Sequence, residues 1–298
     1  MTSTDSPTQK AWRRFRKNPL GLFGAALIVL ITCVAIAGPA LVPDRSPNAN
    51  EMNLKLAAQK PGFKAELESD HGVVSRTFLL GTDRFGRDLL SRMVLGARIS
   101  LAVGFISVFI SLLVGVTLGA LAGFYGGRVD SAIMWLINVV WSIPTLLLVI
   151  AITLALGKGF WQVFVAVGLT MWVEVARVVR GQALSLKEKE FVEATEALGF
   201  RSLRALFSHV LPNIWSPVIV ISAANFASAI LIESGLSFLG IGAQPPIPTW
   251  GGMIKDHYSY IIVDKAYLAV IPGGAILLLV LSFMLVGNAL RDALDVKS

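Results

Sequence analysis

The sequence predicts an all-α integral membrane protein with six transmembrane helices, and three observations support this fold class. Hydrophobic residues make up 55% of the 298 residues and charged residues only 15%, whereas a soluble domain carries about 25% charged residues. The mean hydropathy is +0.70. Two uncharged runs, 20–42 and 131–157, contain 23 and 27 residues, and a helix of about 20 apolar residues spans the hydrocarbon core. Lipid is therefore the expected solvent of this chain.

Six hydrophobic segments are long enough to be spans. They cover residues 20–42, 98–122, 131–156, 160–176, 213–235 and 266–289. The first is expected to be a permanent span, because its apolar stretch is longer than the roughly 7–15 residues of a cleaved signal peptide. The fourth is the weakest, because Glu174 and Arg177 interrupt its end. It needs neighbouring helices to shield these two charges.

The predicted domain organisation follows from these spans. Its parts are an N-terminal tail (1–19), the first helix (20–42), an extracytoplasmic segment (43–97), a core of five spans (98–290) with a long cytoplasmic loop (181–212), and a C-terminal tail (291–298). The core therefore carries most of the chain, and the loop at 181–212 is its largest cytoplasmic feature.

Lysine and arginine residues near the ends of the spans predict the orientation, because they favour the cytoplasmic side. Five of them precede the first span, at Lys10, Arg13, Arg14, Arg16 and Lys17. They place the N terminus in the cytoplasm, and six spans return the C terminus to the same side. The net charge of +7 is attributed to this orientation, so nucleic acid is not an expected partner. The outer segment conflicts with the rule, since it carries Arg76, Arg84, Arg87 and Arg92.

Small and polar residues inside the spans indicate how the helices meet. Gly115, Gly119 and Gly123 repeat every four residues, which predicts a face where another helix approaches closely. Polar side chains in spans normally face the bundle or a cavity, and the candidate gate or pathway residues are Asn138, Asn225, Glu233 and Trp250. Glu233 has two interpretations, a carboxylate bonded to a neighbouring helix or an outer gate. Glu174 and Arg177 are expected to form a local i,i+3 pair at the inner interface.

The loop at 181–212 is predicted to contain two helices joined at a glycine. Apolar residues along one side of 186–198 indicate the first helix, and Gly199 follows where helices often end in left-handed backbone. Ser202 can cap a second short helix, and Pro212 opens the fifth span. Two interpretations are open at this point: an amphipathic hairpin on the lipid surface, or a rigid knob that binds a soluble partner.

Several residues of this loop form a spaced pattern. The pattern and its neighbours comprise Glu193, Ala194, Thr195, Leu198, Gly199, His209, Leu211 and Pro212. It resembles the signature of binding-protein-dependent ABC importer permeases, which reads Glu-Ala-Ala, three residues, Gly, nine residues, an apolar residue, one residue and Leu-Pro. Thr195 replaces the second alanine. His209 stands at the usual isoleucine, as in the peptide and nickel subfamily.

The resemblance covers nearly the whole chain. Matching segments include 80–83, 86–88, 91–92, 96–98, 100–101, 123–130, 236–240, 245–246, 250–251, 272–273 and 290–295. Together they resemble the C-type permease subunits of dipeptide and oligopeptide importers. The third span departs from this pattern, because Trp135 and Asn138 stand where relatives usually have an arginine and an aspartate.

The resemblance implies a type I ABC importer permease fold, MetI-like, in a bacterial plasma (inner) membrane. The implied partners are a second homologous permease of the B type, two ATPase subunits or domains, and an extracytoplasmic binding protein that delivers a peptide. The segment from Glu193 to Gly199 would form the coupling helix that contacts an ATPase. The chain itself is expected to need no cofactor, since the ATPases would bind ATP and Mg²⁺.

Other function classes are weighed against this one. The chain has no Gly-x-x-x-x-Gly-Lys-Ser/Thr motif, so it is expected not to be an enzyme. An ion-coupled secondary transporter is the rival class, although such proteins often place several carboxylates near the membrane midplane. A permease for nickel or another small solute is the rival within the family. The outer loop at 240–264 either anchors aromatic residues at the membrane interface or helps to seat the binding protein or cap the cavity.

Overall fold

The fold is a bundle of long helices with a small outer layer, described by a computed structural model for residues 6–69, 72–157, 159–190, 204 and 206–294. The helices are α1 (Pro7–Phe15), α2 (Pro19–Leu41), α3 (Leu89–Tyr125), α4 (Gly127–Trp141), α5 (Thr145–Ala155), α6 (Phe160–Lys187), α7 (Leu211–Phe238), α8 (Trp250–His257) and α9 (Tyr267–Leu294). Strands β1 (Phe63–Ser69) and β2 (Gly72–Phe78) form an antiparallel hairpin.

The predicted all-α membrane fold is confirmed. Among the described residues, five helices are long and apolar enough to cross a membrane: α2, α3, α6, α7 and α9. The bent pair of α4 and α5 makes a sixth span when it is counted as one. The outer hairpin lies between α2 and α3 in the chain, within the segment predicted to be extracytoplasmic.

The closest helix pair is α3 with α6, which run in the same direction. Gly115, Gly119 and Gly123 all face α6. A Cβ atom at Gly119 would lie 2.4 Å from the backbone oxygen of Ala176, and one at Gly123 would lie 2.6 Å from Cβ of Ala183. Because only glycine allows two helix backbones to approach this closely, the predicted glycine ladder is the contact surface for α6.

Helix α6, the weakest span in the sequence, is the most buried of the five continuous spans. In its most hydrophobic stretch, 67% of the residues are buried, compared with 17% in α2. Helix α2 instead lies on the outside of the bundle against α9, where a Cβ atom at Gly24 would be 2.7 Å from the backbone oxygen of Ser282. Neighbouring helices therefore hold α6 in the membrane, whereas the apolar side chains of α2 face lipid.

The third predicted span is broken in its middle. Helix α4 ends at Trp141 and α5 begins at Thr145. The two helix axes are bent by 92° relative to each other. Pro144 explains the break, because a proline disfavours helical backbone in the residue before it and removes a helix hydrogen bond. The predicted single helix over 131–156 is therefore corrected to two short helices around a sharp turn.

Two other helices are longer than predicted. Helix α3 begins at Leu89, nine residues before the predicted start at 98, and the side chain of Asp88 caps its first turn. Helix α6 continues to Lys187 instead of ending at 176, and the chain turns at Glu188. A separate loop helix therefore does not begin at 186, and the rest of that prediction, 191–198, lies outside the described residues.

Candidate functional site

The predicted coupling loop is described only at its flanks. Five of its predicted residues lie outside the described part of the chain: Glu193, Ala194, Thr195, Leu198 and Gly199. The described flanks are the end of α6 and a π-helical turn, Leu206–Val210, that leads into α7. His209 belongs to this turn by its backbone, and its side chain is outside the described set. Leu211 and Pro212 open α7, where the missing amide of proline costs no helix hydrogen bond.

Buried apolar side chains anchor the second flank to the bundle. Leu206, Val210 and Ile214 are at most 1% exposed, and they pack in one cluster with Phe124 of α3 and Val179 of α6. Packed interiors are nearly incompressible and transmit strain. A displacement of the loop therefore acts directly on α3, α6 and α7.

An ion pair beside the loop joins α4 to α6. Arg180 donates two hydrogen bonds to the carboxylate of Asp130, at 2.5 and 2.6 Å, which is the strong bidentate arrangement. Asp130 lies in the first turn of α4, where the helix dipole favours a negative charge. The two residues are 50 positions apart, so no local spacing rule could have predicted the pair.

The break between α4 and α5 opens a cleft of about 300 Å³. Its lining includes Trp141 and Thr145 at the break, Thr170 and Glu174 from α6, and Ser228 from α7. Glu174 is exposed. Its carboxylate has no ion-pair partner among the described residues. The cleft therefore combines apolar walls, hydroxyl groups and one uncovered carboxylate.

The depth of Glu174 follows from the packing of α6 against α3. Its neighbour Val175 contacts the position of Gly115, which lies ten residues before the end of α3 at Tyr125. Ten residues of helix are about 15 Å long, half the thickness of a hydrocarbon core of about 30 Å. Glu174 thus lies level with a point on α3 that is about half a hydrocarbon thickness from the helix end at Tyr125.

Arg177 forms other contacts than the predicted pair with Glu174. Its guanidinium donates a hydrogen bond to Oδ1 of Asn138 at 2.9 Å and lies 3.5 Å from the ring centre of Trp141. A cation over an aromatic face contributes about 0.5–2 kcal/mol. The predicted i,i+3 pair is wrong, because Arg177 instead fixes the last turn of α4 to α6 beside the cleft.

Asn225 and Glu233, two of the predicted gate or pathway residues, lie inside the bundle. Each is 1% exposed. Oε1 of Glu233 accepts a hydrogen bond from the hydroxyl of Ser237 at 2.6 Å, one turn further along α7. The bond is therefore within α7, whereas the sequence suggested a neighbouring helix. Both polar atoms of Asn225 and Oε2 of Glu233 are without partners among the described residues.

Trp250, the remaining predicted gate residue, is a buried anchor of the outer layer. It is 3% exposed, and its indole N–H donates to the backbone oxygen of Met93 at 3.0 Å. A Cβ atom at Gly96 would lie 2.7 Å from its ring, so the tryptophan lies directly on the first turns of α3. The interfacial-anchoring interpretation therefore does not hold for Trp250. A cavity of about 450 Å³ opens beside it, lined in part by Arg84 and Lys255.

The outer arginines that conflict with the predicted orientation are each held by a carboxylate. Asp83 binds Arg87 at 2.6 Å and lies 3.7 Å from Arg92. Arg76 lies 3.3 Å from Glu51 and 3.9 Å from Asp88, and Arg84 lies 3.0 Å from Asp256. Removal of one partner from a buried pair leaves an uncompensated buried charge, which is strongly destabilising. These arginines therefore have a structural role in the outer layer.

His257 closes the contact between α8 and the outer segment. Its Nδ1–H donates to the backbone oxygen of Met253 at 2.7 Å, and its Nε2 accepts from the amide of Arg84 at 3.3 Å. This arrangement requires the neutral imidazole. Burial lowers the pKa of His257 below its ordinary value, while the Met253 hydrogen bond and the carboxylates of Asp83 and Asp256 act in the opposite direction.

Two family models match the chain. The model described as "Binding-protein-dependent transport system inner membrane component" matches residues 115–297, and "N-terminal TM domain of oligopeptide transport permease C" matches residues 6–61. The two matches lie side by side along the chain and leave residues 62–114 between them, which hold the β-hairpin and most of α3.

Curated relatives match at nearly full length. The dipeptide transport system permease protein DppC of Alkalihalophilus pseudofirmus is 37% identical over 98% of this chain and 90% of its own length. The oligopeptide transport system permease protein OppC of Bacillus subtilis is 37% identical over 96% and 88%. The glutathione transport system permease protein GsiD of Pectobacterium atrosepticum is 35% identical over 99% and 93%.

A solved structure shares the fold. The MetNI methionine ABC transporter, in an inward-facing conformation, contains a chain that superposes with a TM-score of 0.55 and 20% identity, over 68% of this chain and 96% of that chain. The first family model covers more than half of the present chain, and the full-length relatives are ABC transport permeases. The chain therefore belongs to the family of binding-protein-dependent transport system inner membrane components, the permease subunits of ABC transporters.

Proposed function

We propose that this chain is one of two permease subunits of an ATP-driven importer of di- and oligopeptides. It forms the translocation path with a second homologous permease of the B type. Two ATPase subunits or domains bind on the cytoplasmic side, and an external binding protein delivers the peptide. Relatives named for dipeptide, oligopeptide and glutathione transport support this substrate class, because all three substrates are short peptides.

The uncovered carboxylate of Glu174 is the observation that carries the need for a second permease. A charged residue at the centre of a bilayer costs about 2.5–3.5 kcal/mol on insertion scales, so it normally faces protein or a water-filled cavity. Glu174 lines the cleft at the break between α4 and α5 and is exposed there. A second membrane chain beside the cleft supplies what is missing, since it either covers the carboxylate or encloses an aqueous path with it.

The loop at 181–212 is the proposed contact with the ATPases. Its second flank is buried against α3 and α6, so movement of the loop acts on the bundle. The pair between Arg180 and Asp130 carries the same movement to α4 and thus to the break beside the cleft. ATP with Mg²⁺ is bound by the ATPases, and closure of these subunits rocks the two permeases between inward-open and outward-open states.

The proposed orientation places both termini in the cytoplasm of a bacterium and the outer layer outside its plasma membrane. The five basic residues before the first span support the N-terminal side. The segment from Pro245 to Trp250, beside the outer cavity, is then on the side from which a binding protein delivers its peptide. Deletion of this segment should abolish docking of the binding protein, and unchanged docking would exclude the role.

The first experiment is to purify the chain from its native membrane through a C-terminal tag and to identify bound proteins by mass spectrometry. We expect a second six-span permease and P-loop ATPases. The recovered complex is then reconstituted in vesicles, and uptake of a labelled dipeptide, a labelled oligopeptide, glutathione and Ni²⁺ is measured with ATP or with an ion gradient. Uptake driven by the gradient without ATP, by the chain alone, would overturn the proposal in favour of a secondary transporter.

The coupling loop has its own test in Gly199→Val. The sequence predicts left-handed backbone at this position, which valine adopts only with strain. We expect the variant to lose ATP-driven uptake and to recover fewer ATPases in the purification. Gly274→Ala, at a position in α9 outside the loop where a Cβ atom meets no neighbour within 4 Å, is the control and should behave as the unchanged chain. Unchanged uptake and ATPase stimulation in Gly199→Val would contradict the coupling role.

A further inference from the structure

A short helix, α1, precedes the first span and lies at the boundary of the membrane. Ser6 and Gln9 form a reciprocal capping box at its start, so the helix has a defined N terminus. The chain turns after Phe15, and Asn18 caps α2. The 23 residues of α2 are close to the length that crosses a hydrocarbon core. Helix α1 therefore lies where the first span meets the lipid headgroups.

Helix α1 is fixed to the end of the bundle. Phe15 is 7% exposed and packs against Ala289 and Ala293 in the last turns of α9. A Cβ atom at Gly21, in the first turn of α2, would lie 3.3 Å from its ring. Because Phe15 is enclosed by two spans, α1 lies along the membrane boundary instead of projecting into water.

The two faces of α1 differ in chemistry. Trp12 stacks on Phe15, with ring centres 5.9 Å apart, yet Trp12 is 61% exposed. An exposed tryptophan is typical of the boundary between lipid headgroups and acyl chains. Lys10, Arg13 and Arg14 have exposed side chains, and their i,i+3,i+4 spacing places them on the side opposite the aromatic pair.

The charge of this region is of one sign over a long stretch. Five lysine or arginine residues lie within 10–17, and residues 6–43 contain no aspartate or glutamate. A basic face, an exposed tryptophan and a fixed place at the membrane boundary together have the chemistry of an interfacial lipid-binding helix.

We propose that α1 binds the phosphate headgroups of anionic phospholipids in the leaflet beside it. The basic face contacts the headgroups while Trp12 enters the boundary with the acyl chains. Each cation near an anionic membrane surface contributes about a fivefold gain in affinity. The inference is independent of the substrate and of the partner subunits, since it rests only on α1 and the spans that hold it.

The test compares retention of two lipids by the full chain. The chain is extracted from vesicles of equal parts phosphatidylglycerol and phosphatidylcholine, and the retained lipids are counted by native mass spectrometry. The unchanged chain should prefer phosphatidylglycerol. In the triple variant Lys10→Gln/Arg13→Gln/Arg14→Gln, the ratio of retained phosphatidylglycerol to phosphatidylcholine should fall about tenfold or more. Equal preference in the variant and the unchanged chain would overturn the proposal.

A matched control removes the same charge at the other end of the molecule. Lys55, Lys60 and Lys64 are exposed in the outer layer, and their triple replacement by glutamine should leave the preference intact. Loss of preference in this control equal to that in the α1 variant would overturn the assignment to α1.

Two further measurements need no substitution. The preference of the unchanged chain should weaken in 1 M salt, because the Debye length falls to about 3 Å, and full preference there would contradict a headgroup interaction. Glycerol phosphate at millimolar concentration should not displace the lipid. Complete displacement would assign the site to a soluble phosphate compound and overturn the lipid proposal.

Discussion

Helix α6 has two faces that are built in opposite ways. Toward α3 it meets three glycines, and the backbones come so close that a Cβ atom at Gly119 would collide with the oxygen of Ala176. Toward the cleft it presents Glu174 and Arg177, beside the break between α4 and α5. The first face is completed by this chain, and the second leaves the carboxylate of Glu174 exposed.

One face of α6 is therefore structural, because it holds α6 against α3, and the other is a candidate functional surface. Small residues give a seam that cannot tolerate added volume, so α3 and α6 should move as one body. The open face lies beside the break between α4 and α5, which are joined only through a sharp turn. The contacts that these two helices make with α6 can therefore change. Substitutions on the two faces should therefore differ in size and in the property that they change.

The largest effect is expected on the closed face. Gly119→Ala places a Cβ atom against the backbone of Ala176, so the helices must separate, and we expect a loss of about 2–3 kcal/mol in the free energy of unfolding. Reversible unfolding in mixed micelles measures this loss. Gly274→Ala is the control, because a Cβ atom there meets nothing within 4 Å. Equal stability of the two variants would show that the seam is loose.

A smaller effect is expected where the open face joins α4. Arg177→Met keeps the apolar stem but removes the hydrogen bond to Asn138 and the cation over Trp141, so we expect a loss of about 1–2 kcal/mol in this contact. Hydrogen exchange of the amides around the break should become faster. Arg128→Met, at an exposed position, should leave exchange there unchanged. Slow exchange in both variants would mean that Arg177 does not hold α4.

Glu174→Gln should barely change the stability of the isolated chain. The carboxylate has no ion-pair partner among the described residues, and such exposed substitutions usually stay within about 0.5 kcal/mol. In the assembled transporter we expect at least a severalfold loss of uptake or of binding to the second permease. The reason is that the carboxylate contacts the second permease, or the aqueous path between the two permeases, only in the complex. Glu66→Gln, exposed in the outer layer, should leave both properties intact. A large loss of stability in the isolated chain would show that Glu174 has an internal partner.

The smallest expected effect is a pH dependence outside the seam, in the outer layer, where His257 of α8 accepts a hydrogen bond from the amide of Arg84. Burial lowers the pKa of His257 relative to about 6.5 in the unfolded chain, so the folded chain binds fewer protons. Its contribution to stability is fully present above that value and is lost as pH falls through it toward the folded pKa. The Tm should thus decrease between pH 7.5 and pH 5. His257→Gln should flatten this part of the profile, and an unchanged slope would assign it to other groups.

The spans and the glycine seam could be predicted because both depend on short-range rules. A helix must be apolar over about 20 residues to cross lipid, and residues four apart share a face, so Gly115 and Gly119 indicated a contact without naming the partner. The orientation conflict needed the structure, since Arg84 meets its carboxylate on Asp256. Trp250 was placed among gate residues because an aromatic in an outer loop looks the same in sequence whether it faces lipid or the first turns of α3.

The sequence by itself determined that the chain is a helical membrane protein, which stretches form its spans, and which face of α3 is small. It did not determine the start of α3, the end of α6 or the break in the third span. The tertiary structure alone decided that Glu174 is exposed beside the cleft, that Arg177 contacts Asn138 and Trp141, and that Asp130 is bound by Arg180. The physical reason is the range of the interactions. Helix length and side-chain period are local, whereas depth, exposure and ion pairing depend on which distant segments pack together.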